Sequence, residues 1–406
     1  MGKLNIFEIS FSNLSGIYYA GDVLKGHVTV ELKESMKMRG IRLKFLGNAE
    51  VSWSETQTSG SGDNETTTTY TYSNSEKYFD QEILLLGIWP KQGNETIELS
   101  HGRHSFPFEY HLPTGLPSSF EDSVGHVRYT ATCNIDKPWK FDPKTKKPFT
   151  IIGVLDLNYQ ENAMQRLHGT NQKKLCCLCC ASGPIEATFA IDRQGYVPGE
   201  AVLLNAEITN GSSRKIAKTY VELTMIKKFH ATTKSRTDCT QVARVTHPGI
   251  GSHSSDVWSC EKVVIPSVPP SFLNGCKIID IHYELKLVVD PKGPSFKLEV
   301  PLNIIIGTIP LASVIQSNPP MYPAFPDSTQ IYLPNMYPSA SQPDVFYPPA
   351  PVTGIPNLPP PSYNEAITGS YSIKAKDDTE HTRGDMKYTP VYTYYNWGHT
   401  PGQLPS

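Results

Sequence analysis

Residues 281–289 read IHYELKLVV, with Ile281, Tyr283, Leu285, Leu287 and Val289 alternating against His282, Glu284 and Lys286. Side chains of a strand point to opposite faces in turn, so this period of two demands a half-buried β-strand. The same alternation places Val28, Val30 and Leu32 on one face of GHVTVEL, and Ile41, Leu43 and Phe45 on one face of IRLKF. No long stretch carries helical periodicity, and Gly and Pro recur between the apolar runs. Many short strands punctuated in this way predict β-sandwiches. The Ser/Thr/Asn-rich stretch from Ser52 to Ser75 reads as a long exposed hairpin loop.

The pattern occurs twice. YYAGDVLKGHVTVEL at Tyr18 matches YVPGEAVLLNAEITN at Tyr196, pairing Tyr18 with Tyr196, Gly21 with Gly199 and Asp22 with Glu200. LPTGLPSSF at Leu112 matches IPSVPPSF at Ile265, and each is followed by a strand bearing a tyrosine, Tyr129 and Tyr283. Each copy therefore reads as a glycine turn feeding a strand, then a Pro-bounded crossover into a later strand. The divisions expected are a sandwich over 1–158, a linker over 159–183 and a second sandwich over 184–310.

Composition changes beyond residue 310. The last 96 of the 406 residues hold 17 of the 34 prolines and 10 of the 21 tyrosines, and no Lys or Arg stands between Lys297 and Lys374. Such a segment is short of apolar surface to offset chain ordering, so 311–406 reads as a disordered Pro/Tyr-rich tail. It contains NPPMYPAF, with Pro319, Pro320 and Tyr322, and NLPPPSYNEA, with Pro360, Pro361 and Tyr363. Both are PPxY motifs. A WW domain stacks the prolines of a polyproline II ligand in an aromatic groove while the tyrosine enters a neighbouring pocket. The two motifs lie 41 residues apart. A flexible segment of that length spans roughly 35 Å, which allows two WW domains of one partner to engage together.

Other function classes find less support. A net charge of −2 gives no whole-molecule case for a nucleic-acid partner. GxSxG, HExxH and Walker sequences are absent, and His101, His104, His126 and His282 are scattered, so an enzyme is not expected and no cofactor is assigned. MGKLNIFEIS lacks the apolar core of a signal peptide, which predicts a cytoplasmic protein with reduced thiols. The cluster LCCLCC places Cys176, Cys177, Cys179 and Cys180 within five residues, too close for an ordinary tetrahedral zinc site. Reduced surface thiols and S-acylation beside Lys173 and Lys174 are the readings left. DKPWKFDPKTKK holds Lys137, Lys140, Lys144, Lys146 and Lys147, and a second basic run extends from Arg214 to Arg236. Either is a possible contact for phosphates or anionic lipid, or else a solvated edge guarded by lysine.

YYAGDVLKGHV, DKPWKFDPKTKKPFTIIGVLDLN, GPIEATFAIDRQGYVPGE and VPLNIIIGTIPL, in this order and with the PPxY tail, resemble the α-arrestins, the arrestin domain-containing proteins. The resemblance implies an all-β chain of two tandem immunoglobulin-like arrestin β-sandwiches followed by the disordered tail. It further implies a cytosolic adaptor that brings Nedd4-family HECT ubiquitin ligases, through their WW domains, to the cytoplasmic faces of membrane receptors or transporters. Plasma membrane and endosomes would be the places of recruitment, with peripheral membrane association possible. A thioredoxin-binding branch carries a cysteine three positions before a tryptophan in its second domain; here Ser255 stands ahead of Trp258. A redox role and a ligase-free sorting coat are the alternatives.

Overall fold

The computed structural model describes residues 3–60, 65–89, 95–138, 141–174, 183–293, 297–317, 320, 362–367, 369–375 and 378–398. The first sandwich is built from β1 (Leu4–Phe11), β2 (Ile17–Tyr19), β3 (Val23–Leu32), β4 (Met36–Met38), β5 (Gly40–Ser59), β6 (Thr66–Gly87), β7 (Ile97–Leu99), β8 (Gly102–His111), β9 (Phe120–Glu121), β10 (Gly125–Asp136) and β11 (Lys144–Ile152). One sheet runs β1-β3-β8 and the facing sheet β2-β11-β10-β5-β6, with β9 paired to β10; β4 and β7 form a separate ribbon. The inward rows are those of the sequence pattern: Val28, Val30, Ile41, Leu43 and Phe45 are each fully buried. Each such side chain contributes about 1.5–3 kcal/mol by leaving water.

The second sandwich comprises β12 (Leu167–Lys173), β13 (Ile185–Ile191), β14 (Gly195–Tyr196), β15 (Ala201–Asn210), β16 (Ile216–His230), β17 (Ser235–His247), β18 (Ser254–Val264), β19 (Ile279–Pro291) and β20 (Leu298–Ile306). Its sheets run β12-β13-β15-β18 and β14-β20-β19-β16-β17. Ile281, Tyr283, Leu285, Leu287 and Val289 all face the core, while His282 is exposed.

The repeat seen in the sequence is a repeat of hydrogen bonds. Tyr129 donates its hydroxyl to Pro117 O at 2.7 Å, and Tyr283 donates to Pro269 O at 2.7 Å. The Ser119 hydroxyl accepts from Ile151 N–H (3.0 Å), as that of Ser271 does from Ile306 N–H (2.9 Å). Each crossover is thus pinned to the core by one tyrosine and one serine, which satisfies backbone groups that burial would otherwise strand.

Two local expectations are revised. Ser52 to Ser75 is largely ladder and not loop: β5 and β6 pair from Gly40↔Gly87 to Ser59↔Thr66, with register shifts at Ile41/Arg42 and Gly47/Asn48 and none from Asn48 onward. Its threonines are β-branched and suit a solvated two-stranded ribbon. The linker is also not free of structure, because β12 lies inside it and pairs with β13 from Leu167↔Ile191 to Lys173↔Ile185.

The sandwiches meet along a polar and aromatic seam. Lys227 reaches Asp122 at 2.5 Å with both side chains buried, and the Phe120 and Phe229 rings lie 6.4 Å apart. Thr232 N–H and hydroxyl both donate to Ser73 O, and Lys277 N–H donates to Glu76. Lys234 pairs with Glu55 and lies 5.2 Å from the Tyr72 ring centroid, so the β5–β6 ribbon rests on the second sandwich.

Beyond residue 310 the described residues form α1 (Ala312–Ser317), β21 (Ser362–Glu365), β22 (Tyr371–Ser372), β23 (Thr382–Gly384), β24 (Lys387–Tyr388) and β25 (Val391–Tyr394). The expectation of disorder throughout 311–406 therefore does not extend to this docked part. Low overall apolar content hides a local density of aromatic residues: Tyr388, Tyr392, Tyr395 and Trp397 are all buried. They need no core of their own, because the sandwiches supply one.

Candidate functional site

Of the six PPxY residues, Pro319, Tyr322, Pro360 and Pro361 lie outside the described residues. Pro320 is buried. Tyr363 lies within β21, its backbone opposite Thr393 of β25 in an antiparallel pair that runs from Ser362↔Tyr394 to Glu365↔Val391.

The segment carrying β25 crosses from one sandwich to the other. The Tyr388 and Thr150 hydroxyls are 2.8 Å apart, and Tyr392 OH donates to Ser119 O at 3.0 Å, both on the first sandwich. Tyr395 then turns to the second, its N–H donating to Pro198 O and its hydroxyl to Thr308 O, each at 3.0 Å. Trp397 packs with Leu157, Ala163, Val197 and Leu311. Burial raises the phenol pKa of Tyr388 and Tyr392, so both remain neutral hydroxyls in these contacts.

The lysine cluster sits under the same segment. β23 lies parallel to β11, with Lys144↔Thr382 and Lys146↔Gly384 in register. Lys146 pairs with Asp378 at 2.5 Å, their side chains only 7% and 2% exposed. A buried pair of this kind is held by mutual neutralisation, and Asp378 also accepts from Ala375 N–H at 2.7 Å. In this arrangement Lys146 does not face solvent, which corrects its expected role as a phosphate or lipid contact. Lys147 lies 5.4 Å from the Phe11 ring centroid. Lys137 donates its backbone N–H to Asp142 at 2.8 Å, and Lys144 its own to His381 O at 3.4 Å. Lys140 is outside the described residues. Nearby, Arg128 grips the buried Glu121 with two bonds of 2.6 Å; burial raises the Glu121 carboxyl pKa and the arginine pulls it back.

The chain matches two known families in tandem. Residues 7–158 match the family described as Arrestin (or S-antigen), N-terminal domain, and residues 181–311 match its C-terminal domain. Arrestin domain-containing protein 17 of Caenorhabditis elegans is 31% identical over 323 residues, covering 77% of this chain and 72% of that protein. The chain belongs to the arrestin domain-containing proteins, the α-arrestins. Arrestin domain-containing protein 4 of Mus musculus is 30% identical over 78% of the chain and 75% of its own length. Its Homo sapiens counterpart is 32% identical over 73% and 69%. This is an adaptor-type family.

In this α-arrestin the cysteine cluster Cys176, Cys177, Cys179 and Cys180 lies outside the described residues. Of the described cysteines, Cys133 and Cys276 are buried, and burial pushes both thiols up and away from the reactive thiolate. Among the described residues no group of three or more His, Cys, Asp or Glu is placed to hold a metal ion, and no helix is long and apolar enough to cross a membrane. In the second basic run, Lys227 belongs to the seam and Lys234 and Arg236 are paired with Glu55 and Asp238. Sequence reasoning missed Asp378 and the aromatic row from Tyr388 to Trp397. Their signal was KYTPVYTYYNW, in which aromatics recur at core-like density.

Proposed function

We propose that this α-arrestin is an adaptor that brings Nedd4-family HECT ubiquitin ligases to the cytoplasmic faces of membrane receptors or transporters, marking them for ubiquitination, endocytosis and endosomal sorting. The observation that carries the reading is the pair of PPxY motifs, Pro319-Pro320-Met321-Tyr322 and Pro360-Pro361-Ser362-Tyr363, on an arrestin-family body. Proline is already extended, so less conformational entropy is lost when a WW groove closes on it. The adaptor would work from the cytoplasm, with recruitment to plasma membrane and endosomes.

The test uses the full chain and a Nedd4-type fragment with four WW domains. Tyr322→Ala and Tyr363→Ala should each weaken binding, and the double variant should abolish it. Linked motifs gain 10²- to 10⁴-fold in avidity over single ones, so the single variants lose by up to that order. A double variant that binds as well as wild type would overturn the proposal.

A further inference from the structure

The surface spanning the two sandwiches is a binding surface for an extended aromatic segment, and residues 388–397 of this same chain occupy it. Tyr388 and Tyr392 hydrogen-bond to the first sandwich and Tyr395 to the second, with Trp397 buried beyond them. Thr393, between these anchors, is buried as well. β21 is laid against this anchored strand over Ser362–Glu365, and Ala366 N–H continues the contact by donating to Pro390 O at 3.0 Å. The second PPxY motif therefore runs directly into a strand whose partner is fixed to the body at both ends.

A WW ligand has a different geometry. Polyproline II has no internal hydrogen bonds, and its backbone stands in solvent on every side that the groove does not take. Paired strands lie about 4.8 Å apart. β25 thus takes one backbone edge of Ser362–Glu365, which holds the Tyr363 backbone in a two-stranded ladder and not in the unpaired polyproline II form that a WW groove binds. Pairing Tyr363 with Thr393 and seating it in a WW groove are alternatives.

We propose that β25, docked across both sandwiches, withholds the second PPxY motif by pairing with β21, so that a WW domain reaches Tyr363 only when β21 leaves β25. This inference rests on the ligase reading above. The Lys146–Asp378 pair is the polar latch of the segment and the aromatic row its apolar one. When only a fraction of molecules is competent, apparent affinity falls by that fraction.

The experiment measures binding of a single Nedd4-type WW domain to the full chain carrying Tyr322→Ala, which leaves only the second motif. A synthetic peptide of residues 355–368 is the reference. The full chain should bind about 10- to 100-fold more weakly than the peptide. Asp378→Lys, which sets two cations together, and separately Tyr392→Ala should each recover most of that loss. Deuterium exchange at 391–395 should be slow in the resting chain and rise on adding the WW domain. Equal binding of chain and peptide, or no gain from either latch variant, would overturn the withholding and leave the ligase reading standing. A peptide that binds no WW domain would remove the second motif from the ligase reading, and overturn the withholding with it.

Discussion

The two sandwiches carry the same tight turn, and the two copies are used differently. In the first, Tyr19 N–H donates to Asp22 at 2.7 Å; in the second, Val197 N–H donates to Glu200 at 2.7 Å. Gly21 and Gly199 both hold positive φ, +91° and +94°. The resemblance ends at their surroundings. Asp22 remains partly exposed, whereas Glu200 is buried and paired with Arg193 at 2.9 Å, whose guanidinium lies 4.3 Å from the Tyr196 ring centroid. Tyr18 OH has no hydrogen-bond partner among the described residues, while Tyr196 OH donates to Asp192 at 2.8 Å. A Cβ on Gly21 would meet only Thr114 at 3.4 Å, but on Gly199 it would fall 1.8 Å from Tyr395 O. One turn closes a sandwich. The other closes a sandwich and receives the tail.

The sharpest way to break the likeness is to remove the two carboxylates. Glu200→Ala removes the shorter of two ion pairs from a mostly buried Arg193, which keeps Asp192 at 3.2 Å, and frees Val197 N–H, so it should destabilise the second sandwich by about 2–3 kcal/mol, against about 1 kcal/mol for Asp22→Ala. Urea denaturation of the two variants measures the gap, and equal losses would erase the distinction. Gly199→Ala and Gly21→Ala come next: both impose about 1–3 kcal/mol of backbone strain. Only the former should free the tail, read as faster deuterium exchange at 391–395. The corner tyrosines should then behave as equals. Tyr129→Phe and Tyr283→Phe each leave a buried proline carbonyl unpaired and should lose about 1–2 kcal/mol.

The smallest effect concerns pH. Three residues before the corner tyrosines stand His126 and Asp280, so only the first copy has a histidine there. Burial, then the Arg128 charge, lowers the His126 pKa from 6.5 to about 3. Between these values the unfolded state binds a proton that the folded state refuses, so stability is lost as pH falls through this window. His126→Gln should flatten the acid side of the stability profile. The change stays small because His126 keeps part of its side chain in water.

What was legible in the sequence is what repeats. Alternation placed Ile281 to Val289 correctly because a two-sided sheet leaves no other solution, and the paired Pro-bounded crossovers located both corner tyrosines. The docked part of the tail was not legible, for a physical reason. Composition asks whether a segment can bury itself, and 388–397 is buried by the sandwiches. Its ion pair was hidden too: Lys146 and Asp378 are 232 residues apart, and nothing local in DKPWKFDPKTKK marks Lys146 as the lysine that reaches Asp378. The pairing of Tyr363 with Thr393 belongs to the same class of long-range fact.

The crossing of the tail over both sandwiches sets an order of events during synthesis. Residues 388–397 leave the ribosome after every strand they touch, from Ser119 to Thr308, so they cannot guide the folding of either half. They can dock only when both halves stand finished and correctly juxtaposed. A seated Tyr392 and Tyr395 therefore act as a certificate of assembly: a molecule with one misfolded half lacks part of the surface on which this strand is placed.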